Sequence, residues 1–242
     1  DYDCDGQEDI FTYSLAGFSV YRNTSSNGTL SFELLVYRTM CDYVFVDGTS
    51  QRTNLLVSAD DIPGISDIDC DGDRDVLSFS QLGTLVEYYK NLSMETYGTC
   101  DSLTLVRRNA CWGGFAENNS TNAVTLNTDC FQVPSPEIGA PPTIDAWTEA
   151  GDRSAAHAGS TITPVDLDGD GVQDLLLGDI AYSNVVALYN GGTVSNSLMV
   201  SVDAHFPIND VSADIPVFPA AFHSDVDGDD QRDLVISPSA RG

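Results

Sequence analysis

The sequence predicts an all-β fold, and three observations favour this prediction. Four aspartate-rich segments are each followed directly by a short apolar run, at residues 10–14, 76–80, 175–179 and 234–238. These runs are rich in β-forming residues and are bounded by Ser, Gly or Pro, which is typical of buried strands. A similar order of further strands recurs after them. The hydrophobic content of 42%, with 9% aromatic residues, is sufficient for a folded core.

The four aspartate-rich segments, which we call loops 1 to 4, share one pattern. Aspartate occupies positions 1, 3, 5 and 9, and an apolar pair occupies positions 10 and 11. Position 6 is Gly in loops 1 to 3, where we expect a positive φ at the chain reversal. Loop 4 instead has Asp230 at position 6 and Gly228 at position 4. The four loops span residues 1–9, 67–75, 166–174 and 225–233.

This spacing of carboxylates predicts calcium binding. Ca²⁺ takes about six to eight oxygen ligands, and alternate residues of a tight loop can turn their carboxylates toward one ion. Four carboxylates in one short loop repel one another without a cation, so a solvated acidic turn is the less favoured interpretation. We predict up to four Ca²⁺, bound by carboxylates at positions 1, 3, 5 and 9 and by the backbone carbonyl at position 7. The predicted ligands are Asp1, Asp3, Asp5, Gln7, Asp9, Asp67, Asp69, Asp71, Asp73, Asp75, Asp166, Asp168, Asp170, Val172, Asp174, Asp225, Asp227, Asp229, Gln231 and Asp233.

The EF-hand is the main alternative, because it shares the first half of this pattern. An EF-hand has a bidentate Glu at position 12 and continues into a helix. Position 12 here is Thr12, Ser78, Leu177 or Ile236, and the residues that follow each loop favour a strand. The pattern therefore favours calcium loops joined to strands over EF-hands.

Each repeat is predicted to contain four short antiparallel strands, which is the composition of one propeller blade. The strand after the loop is followed by a second and a third strand, and a fourth leads into the next loop. The second strands are predicted at 17–22, 83–90 and 184–190, the third at 30–37, 103–107 and 198–203, and the fourth at 161–165 and 220–223.

The whole chain, residues 1–242, is predicted to be part of a larger propeller. Three to four blades do not close a ring that usually has about four to eight, so we expect further blades on both sides. The interval between loops 2 and 3 is the longest. Residues 100–150 are predicted to be an insertion or an irregular segment, because cysteines, Asn-rich sequence and the Pro-containing run 134–142 interrupt the pattern there.

The charge of the chain limits its partners. Ten Lys and Arg residues oppose 37 Asp and Glu residues, for a formal net charge of -27. Nucleic acids and anionic membranes require clustered cations, so neither is an expected partner. No run is long enough and apolar enough to span a bilayer, and we expect no membrane insertion.

The six cysteines favour disulfides in an oxidising compartment. They lack the C-x-x-C spacing and the nearby histidines of zinc or redox sites, and the sequence leaves their pairing open. The chain begins inside a motif, without Met or a signal peptide, as expected of a processed or truncated product. The cysteines are Cys4, Cys41, Cys70, Cys100, Cys111 and Cys130.

The loops and the strands that follow them resemble FG-GAP or VCBS-type repeats, the propeller repeats also found in the head of integrin α-subunits. Several stretches are similar to large secreted VCBS-repeat proteins of Gram-negative bacteria. The resemblance implies a secreted or cell-surface propeller of about seven blades, stiffened by calcium and exported by type IX secretion. The similar stretches are residues 61–79, 83–98, 100–105, 111–115, 155–160, 174–180 and 218–238.

Three functions remain open from the sequence. Binding or adhesion, to a protein or glycan ligand, is favoured; a scaffold in a large secreted protein and a polysaccharide-active enzyme are the alternatives. No catalytic motif occurs, and the histidines His157, His205 and His223 are scattered without metal spacing. Some aromatic residues could stack on sugars, although filling the interfaces between blades is the favoured interpretation. These aromatic residues are Tyr88, Tyr89, Trp112 and Trp147.

Overall fold

The computed structural model describes residues 1–15, 17–44, 48–80, 83–118, 120–128, 159–229 and 231–239. It is all-β, as predicted, with one short helix among the described residues. The elements in chain order are β1 Ile10–Ser14, β2 Gly17–Asn23, β3 Phe32–Val36, β4 Met40–Val44, β5 Ser50–Asn54, β6 Gly64–Ser66, β7 Asp75–Phe79, β8 Val86–Asn91, α1 Ser93–Tyr97, β9 Leu105–Asn109, β10 Phe115–Glu117, β11 Val124–Leu126, β12 Ser160–Val165, β13 Asp174–Asp179, β14 Val186–Asn190, β15 Met199–Asp203, β16 Pro219–Ser224 and β17 Asp233–Pro238.

Most of the strands form antiparallel sheets in chain order. β12 to β15 make one four-stranded sheet, and β6 to β9 are paired in the same way within a six-stranded sheet. In that larger sheet β4 pairs in parallel with β9, and β5 pairs with β4. β1 to β3 form a three-stranded sheet, and β16 pairs with β17. Loop 2 joins β6 to β7, loop 3 joins β12 to β13, and loop 4 joins β16 to β17.

The predicted strands are confirmed in position. β2, β8 and β14 are the predicted second strands, and β3, β9 and β15 are the third. β12 and β16 lie where strands leading into loops 3 and 4 were expected. The differences are a few residues at the strand ends, where turn geometry and not hydrophobic pattern decides the boundary.

The main sheets are stacked, with a hydrophobic core between each pair of neighbours. The N-terminal core lies between the β1–β3 sheet and the six-stranded sheet. The central core lies between the six-stranded sheet and the β12–β15 sheet. The C-terminal core lies between the β12–β15 sheet and the β16–β17 sheet. These cores comprise, respectively, Tyr2, Phe18, Val20, Cys41, Tyr43, Leu55, Val57, Val76, Tyr89 and Leu105; Ile68, Leu77, Phe79, Val86, Trp112, Phe115, Ile162, Leu175, Leu177, Val186, Leu188 and Met199; and Val165, Leu176, Val185, Ala187 and Ala221.

The strands after loops 2 and 3 are buried on both faces. In β7, Val76 enters the N-terminal core while Leu77 enters the central core. In β13, Leu176 enters the C-terminal core while Leu175 enters the central core. Successive side chains of a strand point to opposite faces, so a strand between two cores is apolar throughout. The prediction of buried strands is confirmed for these two.

The same prediction is wrong for β1 and β17, in which every residue is exposed or only partly buried. Ile10 and Val235 are exposed, whereas Phe11 and Ile236 pack against the N-terminal and C-terminal cores. These strands belong to the outermost sheets of the stack. Only one face of each strand is covered by another described sheet, so side chains on that face, such as Phe11 and Ile236, are partly buried and those on the other face, such as Ile10 and Val235, are exposed.

The edge strands β6, β12 and β16 of consecutive sheets are neighbours. Beside β6, the N–H of Ile62 donates to the Ser160 carbonyl at 2.9 Å, at the start of β12. Between β12 and β16, Thr163 Oγ1 donates to the Ala221 carbonyl at 2.6 Å. β6, β12 and β16 therefore lie side by side along one edge of the stack.

The expected irregular segment at 100–150 is described only as far as residue 128. This part contains β9 and the β10–β11 hairpin, whose Phe115 is fully buried in the central core. The run 134–142 lies outside the described residues. The described part of this segment therefore contains regular strands, and its hairpin covers one side of the central core.

Two of the described cysteines form a disulfide with each other. Cys4 of loop 1 is bonded to Cys100, which follows α1, and Cys111 is also disulfide-bonded. Cys41 is buried in β4 and Cys70 is exposed in loop 2, and neither forms a disulfide. Cys130 lies outside the described residues. Across the described ranges, the structure contains no helix long and apolar enough to cross a membrane.

Leu177→Ala is expected to lower the free energy of unfolding by about 2–5 kcal/mol, because truncation leaves a cavity in the central core. Leu177 is 1% exposed. The matched control Leu30→Ala, at a side chain that is 76% exposed, should change it by less than about 0.5 kcal/mol. Urea denaturation measures both, and equal losses would contradict the placement of Leu177.

Candidate functional site

The carboxylate at position 1 organises each of the four loops. In loop 2, Asp67 Oδ1 accepts the Asp71 N–H at 3.1 Å and Oδ2 accepts the Gly72 N–H at 3.0 Å. The same two bonds recur in loops 1 and 3, and loop 4 has the bond from position 5. The loop closes around its first residue, because that carboxylate satisfies backbone donors that the reversal leaves unpaired.

Two positions of the loop adopt the left-handed conformation. Position 6 does so in loops 1 to 3, at Gly6, Gly72 and Gly171, as predicted; Asp230 lies outside the described residues. Position 4 does so in all four loops, including Cys4 at φ 56° and Cys70 at φ 62°. The left-handed conformation at position 4 was not predicted from the sequence, although glycine at this position in loops 3 and 4 is a signal for it.

The structure brings the carboxylates together at every loop. One oxygen from each of three acids lies within 4.8 Å of the others. In loops 1, 2 and 4 these are the acids at positions 1, 3 and 5, and in loop 3 position 9 replaces position 5. The groups are Asp1, Asp3 and Asp5; Asp67, Asp69 and Asp71; Asp166, Asp168 and Asp174; and Asp225, Asp227 and Asp229.

The residues at position 7 support the carboxylate at position 5. In every loop the position 7 N–H donates to the Oδ1 atom of position 5, at 2.8–3.2 Å. The side-chain amides of Gln7 and Gln231 donate to the other oxygen, at 3.1 and 3.2 Å. In loop 3, Val172 supports Asp170 through its backbone N–H alone. Asp170 does not belong to the carboxylate group of that loop.

The carboxylate at position 9 connects loops 1, 2 and 3 to the second strand after each loop. Asp75 Oδ2 accepts the Ile68 N–H at 3.0 Å, and Oδ1 accepts the Asn91 N–H at 2.7 Å at the end of β8. Asp9 and Asp174 make the same pair of bonds, to Tyr2 and Asn23 and to Leu167 and Asn190, and Asp233 accepts the Val226 N–H. Position 9 therefore has a structural role in addition to the predicted ligand role, and only Asp174 belongs to a carboxylate group.

Burial shifts the protonation of several loop acids. Burial, together with nearby acids, raises the pKa of Asp75 to about 7, although the N–H groups of Asn91 and Ile68 oppose this shift. Burial likewise raises the pKa of Asp73 to about 6, with Asp71 and Glu95 adding to it. The charged forms of these carboxylates are thus disfavoured without a cation.

Basic side chains partly neutralise loops 1 and 2. The Arg22 Nε atom lies 2.6 Å from Asp3 Oδ2. The ammonium of Lys90 contacts Asp69, lies 3.0 Å from Asp71 Oδ2 and lies 2.6 Å from Glu95 Oε1. Burial would raise the pKa of Asp71, but Lys90 and the Asp73 N–H outweigh it and lower the pKa.

A cavity of about 730 Å³ opens where the sheets meet. β1, the segment before β6, β12 and β16 all contribute to its wall. An ion pair at 3.6 Å joins Glu8 to Arg232 at its rim, and Arg74 donates to the Asp1 carbonyl at 3.1 Å. The aromatic and ionisable side chains that line it include Phe11, Tyr13, Phe222, His223, Arg74 and Arg232.

The aromatic residues selected from the sequence are mainly structural. Trp112 is buried in the central core and Tyr89 in the N-terminal core, each between two sheets. Tyr88 is partly buried, and its hydroxyl donates to Asp75 Oδ2 at 3.1 Å. Trp147 and His157 lie outside the described residues. The aromatic residues that line the cavity were not selected from the sequence.

Of the two described histidines, His205 and His223, only His223 lines the cavity. Burial and then the charge of Arg232 lower its pKa. His205 lies near the end of β15, where its N–H donates to Asp203. No described contact brings these two histidines together.

Comparison with protein-family models, with curated proteins and with solved structures finds no match. Clustered carboxylates with no soft ligand suit a hard divalent cation.

We expect the stability of the calcium-free protein to fall as the pH rises from about 4 to about 7. An unfolded aspartate titrates near 3.9, whereas the pKa of folded Asp75 is about 7. The folded state therefore holds its proton more tightly, and the resulting stability is lost as the pH passes through that window. Urea denaturation at several pH values measures the slope.

The variant Asp75→Asn isolates the contribution of Asp75 to this pH dependence, because the pKa values of other acids are shifted in both directions. The pKa values of Asp69 and Asp174 are also raised, and those of Asp71 and Glu8 are lowered. The variant should be less stable, since Asn91, Ile68 and Tyr88 donate to this carboxylate, but its pH slope should be smaller. Parallel curves for the two proteins would contradict the assignment.

Proposed function

We propose that the chain is a calcium-stabilised part of a β-propeller, and that it serves as a secreted or cell-surface module for binding or adhesion to a protein or glycan. The observation that carries the calcium proposal is the recurrence of one hydrogen-bonded frame in four loops. In each frame three carboxylate oxygens lie within 4.8 Å of one another. Like charges at that separation are costly unless a cation neutralises them.

Calcium fits these loops better than other divalent cations. Their side-chain donors are oxygens, and flexible loops with several carboxylates suit Ca²⁺, which tolerates variable coordination. Mg²⁺ requires stricter octahedral geometry, and zinc sites use mainly Cys and His. The proposed stoichiometry is one ion for each loop, up to four in total.

The stacked sheets support the propeller proposal. Each blade of a propeller is a small antiparallel sheet whose first strand faces the axis. β6, β12 and β16 precede loops 2, 3 and 4, each is the edge strand of its sheet, and each lies beside the next. The two inner sheets are covered on both faces, as blades are in a ring.

A secreted location is supported by the disulfide between Cys4 and Cys100. Disulfides persist mainly in oxidising compartments. The formal net charge of -27 also suits an extracellular setting, where millimolar calcium is available to neutralise it. Type IX secretion is part of the proposal through the resemblance to VCBS-repeat proteins.

The cavity supports a binding function. Its wall combines aromatic rings with arginine and histidine side chains, the combination of apolar surface and few polar groups that small ligands use. Tyr13 and Phe222 are each more than two-fifths exposed, so their rings are accessible. Exposed rings of this kind can stack on the apolar faces of sugars.

Calcium is expected to raise the melting temperature, and chelation to lower it. A site filled at tenfold excess over its Kd adds about 1.4 kcal/mol. Asp168→Ala should remove about one bound ion per chain, because Asp168 belongs to the group of loop 3. Calorimetric titration and ion counting by native mass spectrometry measure both effects.

The control for this experiment is Asp210→Ala, at an exposed aspartate outside the loops. It should bind as many ions as the unmodified chain. No uptake at about 1 mM calcium would refute the proposal, since extracellular modules commonly bind at about 10⁻⁴ to 10⁻³ M.

Glycan-array screening with calcium tests the binding function. We expect calcium-dependent binding that Tyr13→Ala weakens by about tenfold or more, because Tyr13 lines the cavity. Tyr37→Ala is the matched control, at an exposed tyrosine outside the cavity lining. Turnover of a glycan would favour the enzyme alternative, and absence of binding to glycans and to candidate surface proteins would favour the scaffold.

A further inference from the structure

Two acids at loop 2, one within the loop and one on α1, have no counterpart in the carboxylate groups of the other loops. Its position 7 is Asp73, where loops 1, 3 and 4 have Gln, Val and Gln. Glu95 lies on α1, which follows β8 directly. One oxygen each from Asp71, Asp73 and Glu95 lies within 4.8 Å of the others. This second group adjoins the group of Asp67, Asp69 and Asp71 and shares one residue with it.

Asp73 shows that this second group is more than an exposed acidic patch. The residue is 0% exposed. Its Oδ2 atom accepts the Met94 N–H at 2.9 Å, whereas Oδ1 has no hydrogen-bond partner among the described residues. A buried carboxylate oxygen without a partner is costly and is normally compensated by a donor or a cation.

Lys90 neutralises this region only in part. Its ammonium contacts Asp69, Asp71 and Glu95, but it is not a partner of Asp73. Three carboxylates therefore share a single positive charge, and the Asp73 carboxylate does not contact it. A tethered ammonium in this place shows that the region stabilises cations, and the remaining negative charge favours a further, divalent one.

From these contacts we infer that loop 2 holds a second divalent cation, of the hard, oxygen-preferring class of Ca²⁺, bound by Asp71, Asp73 and Glu95. Asp71 is shared between this ion and the ion of the loop, and the Lys90 ammonium remains beside both. The inference rests on the proposed calcium loops, since it adds an ion to one of them. α1 contributes a ligand in this arrangement and thereby connects the segment after β8 to the loop.

Ion counting by native mass spectrometry, at about 1 mM calcium, tests the inference with four variants. Glu95→Gln and Asp73→Asn should each bind one ion fewer than the unmodified chain. Asp73→Asn retains an oxygen for the Met94 N–H, and Glu95 is partly exposed, so folding should be preserved. Asp69→Asn should lose the ion of the loop alone, because Asp69 belongs only to the first group. Glu33→Gln, at an exposed glutamate of β3, is the matched control and should lose none.

The double variant Asp69→Asn with Glu95→Gln separates two ions from one shared ion. It should lose two ions, whereas a loss of one would overturn the inference. An unchanged count in Glu95→Gln and Asp73→Asn, with calcium still bound by the unmodified chain, would also overturn it and leave the calcium loops intact. No calcium in the unmodified chain would refute the loops as well.

Discussion

The structure depends on the carboxylate at the last position of each aspartate-rich loop. Asp75 and Asp174 are fully buried, and each accepts one N–H from its own loop and one from the asparagine that ends the second strand. This pair of bonds fixes the loop against the sheet and sets the direction of the strand that begins there. The clustered carboxylates are held in place by the same frame, so the candidate site and the fold share one set of hydrogen bonds.

The sequence pattern predicts where the strands lie, but not which of their faces are covered. Apolar runs and turn residues predicted the strands, because they report local preference and the need for burial. They could not predict which faces are covered: Ile10 and Val235 are as apolar as Leu77, yet they lie on the outermost sheets. The β10–β11 hairpin was missed because its strands are three residues long and polar in part.

The carboxylate groups of the candidate site were predictable, and their surroundings were not. Spacing indicates that the acids at positions 1, 3 and 5 converge, as they do in loops 1, 2 and 4, but it does not indicate that position 9 replaces position 5 in loop 3. Lys90 and Glu95 lie about 20 residues or more beyond the start of loop 2; only the pairing of β7 with β8 and the position of α1 bring them to it. The cavity likewise combines residues from the first and last described sheets, whose proximity is a property of the stack.

The loops differ in how their negative charge is compensated. Arg22 and Lys90 occupy the position just before the asparagine that donates to position 9, and each reaches an acid at position 3. In loop 3 the same position is Tyr189, whose pKa is raised by burial and by Asp203, Asp174 and Asp168. A tyrosine supplies no positive charge, and no ion pair among the described residues reaches Asp168. Under the proposed function, repulsion that side chains relieve in loops 1 and 2 is relieved in loop 3 by an ion from solution. With one ion in each loop, calcium therefore contributes more to stability at loop 3 than at loops 1 and 2.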